Sequence, residues 1–188
     1  MDKGDPRERH AYRVTMGGGE EIGLYAKVSW RGRLEHIHIA EQTSAEMEEL
    51  LEAKLIAGVG IEGDRYATGK GYYSYKPHPD RQVTLIEMET LEALKRDHGL
   101  SLAPYESRRN LTTRGVPLNH LVGKYFRVGE VLLYGGRLNV PCDYLDKLLD
   151  RPLFNPLLNR SGLNCRIVEG GTLRRGDIIE PAAEPAPG

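Results

Sequence analysis

Three short stretches of the sequence combine residue types that can do chemistry. The first is Pro141-Cys142-Asp143-Tyr144-Leu145. A proline pre-sets a helix start, so the spacing predicts a helix from Pro141 to about Leu149 with Cys142 in its first turn. There, free backbone N–H groups and the helix dipole favour an anionic sulfur, the form that attacks electrophiles, carries sulfur or ligates a soft metal. A buried structural cysteine is the plainer alternative. The second stretch is Arg108-Arg109-Asn110. Two guanidinium forks suit phosphate or carboxylate, and the amide beside them offers a donor and an acceptor to a heterocycle. Adjacent arginines cannot both face a core, however, and a solvated pair is the plainer reading. The third is Gly63-Asp64-Arg65-Tyr66, which follows glycines at alternate positions (Gly58, Gly60) and continues into Gly69-Lys70-Gly71-Tyr72-Tyr73. Such a loop can bring backbone amides close to an anion, but it has the spacing of neither a Walker A nor a dinucleotide fingerprint.

Other candidates are weaker. His36 and His38 project to one side of a strand, as metal ligands can, but no third ligand with suitable spacing is evident, so both are expected to face solvent. Cys165 shares a strand face with Leu163 and Ile167 and reads as core. Nucleophile-elbow and His-Glu-x-x-His patterns are absent from the chain.

These residues need a scaffold, and composition bounds it. A chain of 188 residues, 39% hydrophobic and 28% charged, can bury one ordinary core without metal or disulfide support. No run approaches the roughly 18 apolar residues of a membrane helix, so no membrane partner is expected. The charged opening MDKGDPRERHAYR argues against a secretory signal. Two cysteines are too few for a disulfide framework or a zinc set, which suggests a reducing, cytoplasmic setting. The net charge of −1 conceals a split: residues 95–176 carry 14 basic and 7 acidic side chains, so the remainder is acidic. Arg109 and Cys142 both lie in the basic part, which fits a small phosphate-bearing partner. A pI near 6.6 and the lack of a lysine-rich stripe argue against nucleic acid.

The pattern of elements predicts a mainly β, barrel-like domain with a few short helices, α+β overall. Residues 1–20 read as a disordered N-terminal tail, 21–180 as a single domain, and 181–188 (PAAEPAPG) as a disordered C-terminal tail. Ile22–Trp30 and Leu34–Ala40 suggest a hairpin. Thr43 and Glu46 have capping-box spacing ahead of Met47, Leu50 and Leu51, so propensity favours a helix there, although Leu51, Ala53, Leu55 and Ala57 also alternate as a strand would. Arg81–Glu87 is a strong strand, followed by a helix to His98 that Gly99 ends. Short strands follow at Tyr125–Val128, Val131–Tyr134, Leu163–Val168 and Ile178–Glu180, with turns at Gly129, Gly135-Gly136, Gly170-Gly171 and Gly176 and a short helix around Asn155–Asn159.

Five segments in order resemble the MOSC domain, named for the C-terminal part of molybdenum cofactor sulfurase: GVGIEGDRYA (58–67), RQVTLIE (81–87), RRNLTTRGVPLNHLVGKYFRVGEVLLYG (108–135), PCDYL (141–145) and GLNCRIVEGGTLRRGDIIE (162–180). The resemblance is to the stand-alone bacterial type. It implies a β-barrel-like fold that binds a molybdenum cofactor (molybdopterin), with Cys142 as the molybdenum ligand, and that reduces N-hydroxylated small molecules such as a hydroxylaminopurine. By the same resemblance Arg65, Arg108, Arg109 and Asn110 would hold the pterin or its phosphate. Asp64 and Arg65 match a Gly-Asp-Arg element near the pocket, and Asp64, or a histidine such as His120, would supply a proton. Tyr66 stands where the family pattern has histidine. The chain has no pyridoxal phosphate domain and no four cysteines for an iron–sulfur cluster. A reductase would therefore draw electrons from a separate electron-donor protein. The alternative is a non-enzymatic carrier of persulfide sulfur or of the cofactor. A homodimer would cover apolar barrel surface, though nothing in the pattern establishes one.

Overall fold

The structure, a computed structural model, describes residues 30–185. The expected tail at 1–20, the expected strand Ile22–Trp30 apart from Trp30, and residues 186–188 lie outside the described residues. In chain order the elements are β1 (Gly32–Ile39), β2 (Glu48–Leu50), β3 (Glu52–Ile56), β4 (Gly60–Ile61), β5 (Val83–Glu87), α1 (Met88–His98), β6 (Leu111–Arg114), β7 (Tyr125–Val128), β8 (Val131–Leu138), α2 (Asp143–Leu149), β9 (Leu163–Glu169), β10 (Gly171–Arg174) and β11 (Ile178–Pro181).

Seven strands close a barrel in the order β11-β7-β8-β9-β5-β6-β1, because β1 also pairs with β11, Gly32 opposite Ile179. Closure pairs Gly32 and Arg33 of β1 with β11 and leaves the Ile37–Ile39 end of β1 as an edge, which β2 takes up. Inward-facing Leu34, Ile37, Val83, Leu85, Leu111, Phe126, Leu133, Leu163 and Cys165 fill the interior, every one of them fully buried. β2 extends β1 on the outside of this ring, and β10, β3 and β4 form a separate three-stranded sheet. Barrel neighbours are antiparallel except β5 and β6. That parallel pair needs a crossover, which α1 supplies. Gly99, at φ 68°, ends α1 and donates its N–H to the Leu94 and Lys95 carbonyls.

Three expectations are corrected. No helix forms over Thr43–Leu51: Glu48–Leu50 pairs with β1, and β3 buries Ala53 and Leu55, so the alternation outweighs the capping-box signal. Gly135-Gly136 is not a turn but part of β8, which runs on to Leu138 through a register shift between Gly135 and Arg137. The glycines are there for close approach, since a Cβ at 135 would meet the Leu121 carbonyl oxygen at 2.1 Å and one at 136 the Asp80 carboxyl at 2.0 Å. The segment Asn155–Asn159 consists of turns. No helix among the described residues is long and apolar enough to cross a membrane.

A second, smaller core lies on the helical side. Ile86, Leu91, Leu94, Leu102, Leu145, Leu153 and Leu157 pack together there. Leu85 and Ile86 are neighbours on β5 that face the two different cores, so β5 is a wall shared by both. Leu145 anchors α2 in the second core and thereby fixes where the start of α2 lies.

Gly162 joins the two sides. Its φ is +99°, a Cβ there would meet the Leu85 carbonyl oxygen at 1.9 Å, and its own carbonyl accepts the Asn139 N–H at 2.7 Å. Gly162→Ala is expected to cost more than about 3 kcal/mol, from backbone strain and displacement of β5, read as a lowered midpoint in urea denaturation.

Candidate functional site

Cys142 lies immediately before α2, not within its first turn. It is the N-cap residue, extended at φ −144° and ψ 156°, and its side chain makes no cap hydrogen bond. The Leu145 N–H bonds its carbonyl at 3.1 Å, so the backbone caps the helix and the partly exposed thiol is left to face a cavity of about 330 Å³. Tyr73 stands against the thiol. The Tyr73 phenol is raised above its usual pKa first by its hydrogen bond to Cys142 and then by burial, so it keeps its proton. Cys165 is buried in the barrel, where desolvation pushes its thiol well up.

Five arginines line the same cavity: Arg65, Arg81, Arg108, Arg109 and Arg137. Arg108 and Arg109 do so together, so they are not the solvated pair of the plainer reading: what both face is a cavity and not a core. Arg108 adopts a left-handed conformation, φ 62°, at the end of a 3-10 turn, and this kink turns both guanidiniums towards one space. Arg109 donates to the Ser161 carbonyl at 3.0 Å, the Ser161 hydroxyl at 2.7 Å, the Ser107 carbonyl at 3.1 Å and Asn139 Oδ1 at 2.7 Å. Each of these partners is neutral. Burial pulls its pKa down to about 10, which leaves the guanidinium protonated at neutral pH. Arg108 reaches the Ala45 carbonyl, but its Nη2 is buried without a partner, as is Nε of Arg137. Among the described residues only Arg65 of the five has a carboxylate partner, Asp64 at 3.2 Å. Among the described residues the other four guanidiniums at the cavity thus have no carboxylate in ion-pair contact, the electrostatics of a site for an oxyanion.

Asp64 and Asn110 do not line the cavity but support its wall, each about 1% exposed. Asp64 accepts from the backbone N–H groups of Ala40 (3.2 Å) and Tyr66 (3.0 Å), from Arg65 Nη1 and from Asn110 Nδ2 (3.2 Å). Asn110 takes Thr84 N–H and Oγ1 on its carbonyl oxygen, and its amide also donates to the His38 carbonyl. Arg65, held by Asp64, reaches the Arg108 carbonyl at 3.0 Å. Asp64, Arg65 and Asn110 therefore act as one brace beneath Arg108. His120 is elsewhere, lining a different cleft with Trp30 and Tyr125.

Sequence reasoning passed over two groups. Arg137 and Asn139 reach the site only because β8 continues through its glycines. Tyr72 and Tyr144, rings 4.7 Å apart and 30° from parallel, flank the cavity with Tyr66 and Tyr73. The density of tyrosine in Gly71-Tyr72-Tyr73-Ser74-Tyr75 was a readable sign of an aromatic wall.

A family model, the MOSC domain, matches residues 72–180, more than half of the chain. No curated protein matches it by sequence. Among solved structures, the YuaD protein from Bacillus subtilis is similar, with a TM-score of 0.69 at 19% identity over 81% of this chain and 96% of that one. YiiM from Geobacillus stearothermophilus gives 0.63 at 12% identity, over 81% and 75%. YiiM from Escherichia coli gives 0.60 at 20%, over 82% and 72%. At these identities the likeness is one of fold.

Proposed function

The chain belongs to the MOSC domain family, and on that premise we propose that it binds a molybdopterin-type molybdenum cofactor in the arginine-lined cavity and reduces N-hydroxylated small molecules in the cytoplasm, with electrons from a separate protein. One observation carries the proposal: a cysteine thiol shares a cavity with four guanidiniums that have no carboxylate partner among the described residues. The donor set fits such a group. A thiolate suits a sulfur-rich metal centre, and a phosphate would satisfy the buried donors on Arg108 and Arg137.

In this reading Cys142 is the metal ligand, and Arg108, Arg109 and Arg137 hold the phosphate. Asp64 and Asn110 are positioning residues that act through Arg65 and Arg108. Tyr73 holds a proton beside the ligating sulfur, and Tyr72 and Tyr144 present ring faces to a planar substrate. When bound, the cofactor supplies two-electron reduction of an N–O bond, chemistry that no side chain provides.

The test is expression in paired hosts, one able and one unable to make molybdopterin. Molybdenum is expected in the protein from the first host alone, near one per chain, together with reduction of a hydroxylaminopurine by a chemical electron donor. A metal-free product from the competent host would overturn the proposal. A mass gain of about 32 Da on Cys142 in place of metal would instead identify a persulfide carrier.

A further inference from the structure

His36 and His38 are not both turned to solvent, and they have a third partner. Ile37 lies in the barrel core, so its two neighbours on β1 share the opposite face. β2 brings Glu49 directly opposite His38 in the antiparallel register. His36 Nδ1 meets Glu49 Oε1 at 2.6 Å, and the two imidazole rings stack with centroids 5.8 Å apart. One ligand atom from each of the three residues lies within 4.8 Å of the others.

We propose that His36, His38 and Glu49 form a binding site for one divalent ion of the zinc type, independent of the Cys142 cavity. The His36–Glu49 contact alone would be an ordinary surface pair. His38 is what that explanation leaves out: it is 1% exposed, and its Nδ1 is buried with no hydrogen-bond partner. A buried ring nitrogen without a hydrogen-bond partner is available to ligate a metal.

The donor set selects the ion. Two imidazoles and one carboxylate match the His₂Glu sets of zinc sites, whereas magnesium and calcium prefer all-oxygen surroundings. Ligand atoms around a tetrahedral ion lie about 3.3 Å apart, given bonds of roughly 2.0–2.1 Å, so small side-chain rotations close the present spacing. Three protein ligands leave a fourth position to water. Arg175 opposes the ion, its Nη1 3.4 Å from Glu49 Oε1, but both side chains are about half exposed and that pair is easily given up. Such an ion would tie β2 to β1. The segment leading into β2 carries Ala45, whose carbonyl holds Arg108, so the tie would also steady one wall of the anion cavity.

The test uses the full chain without an affinity tag, stripped with a chelator and titrated with Zn²⁺ or Co²⁺ slightly above neutral pH. Uptake of one ion per chain is expected, with no thiolate-to-cobalt absorption band. His36→Gln and Glu49→Gln, both at partly exposed positions that leave the barrel core intact, should each weaken binding by at least the roughly 10–100-fold that outer-shell changes cost. Cys142→Ser should bind as the wild type does. Absence of stoichiometric uptake, wild-type affinity in both ligand variants, or loss of binding in Cys142→Ser would each overturn the proposal.

Discussion

Cys142→Ser is expected to give a folded protein that carries no molybdenum when made in a cofactor-competent host, with activity lower by more than about a hundredfold. The side chain makes no cap hydrogen bond and the helix is closed by its backbone carbonyl, so the fold does not depend on the sulfur. A serine hydroxyl stays protonated and hard where a soft anionic ligand is required. Cys165→Ser serves as the control. It places a hydroxyl at a fully buried site in the barrel core, so it should retain metal while losing about 1–3 kcal/mol of stability. Metal analysis together with thermal melting separates the two. Equal loss of molybdenum in both variants would contradict the assignment of the ligand to Cys142.

The second large effect is at Asp64, and it is on stability. Its carboxylate holds two backbone amides, a guanidinium and a side-chain amide in a space closed to solvent. Asp64→Ala takes this acceptor from the Ala40 and Tyr66 amides and leaves Arg65 a buried cation without its carboxylate, a change that costs about 3–5 kcal/mol. A domain of this kind has only about 5–15 kcal/mol in total, so the variant should unfold at markedly lower denaturant or fail to accumulate. Asp64→Asn tests the role more finely. It keeps the shape and one acceptor but turns a donor towards the Tyr66 amide, so stability should fall by an intermediate amount, with activity falling only as far as the folded fraction does. Wild-type stability with activity abolished would instead make Asp64 a proton donor in the reaction.

Much of the barrel is legible in the sequence because inward and outward residues alternate along β9, because β5 is a short apolar run buried on both faces, and because a single glycine ends α1. What escapes is set by pairing. The Thr43–Leu51 segment has the local chemistry of a helix start and becomes a strand only because β1 offers it an edge. Glu49 cannot be connected with the histidines until that edge is known. In the site, Cys142 and the arginine pair stand out by residue type, and Arg108 and Arg109 are seen to converge only when the left-handed backbone at Arg108 is known. Asp64 and Asn110 read in the linear sequence as groups that touch a ligand, and the structure sets both behind the cavity wall. They are buried because each satisfies the other, a property of the assembled network and not of either residue.

The pairing of Gly32 with Ile179 also bears on synthesis. β1 and β11 are neighbours in the barrel, so the ring cannot close until the chain has been made through Pro181. The cavity itself draws on segments as far apart as Ser44 and Tyr144, whose side chains meet at 3.0 Å. Contacts of that span form late, after the cost of closing long loops has been met. A ribosome-bound fragment ending before β9 has the cysteine and the arginines but not the wall that sets them facing one another. Any ligand of this cavity must therefore arrive at a closed barrel and not at the emerging β1–β8 segment.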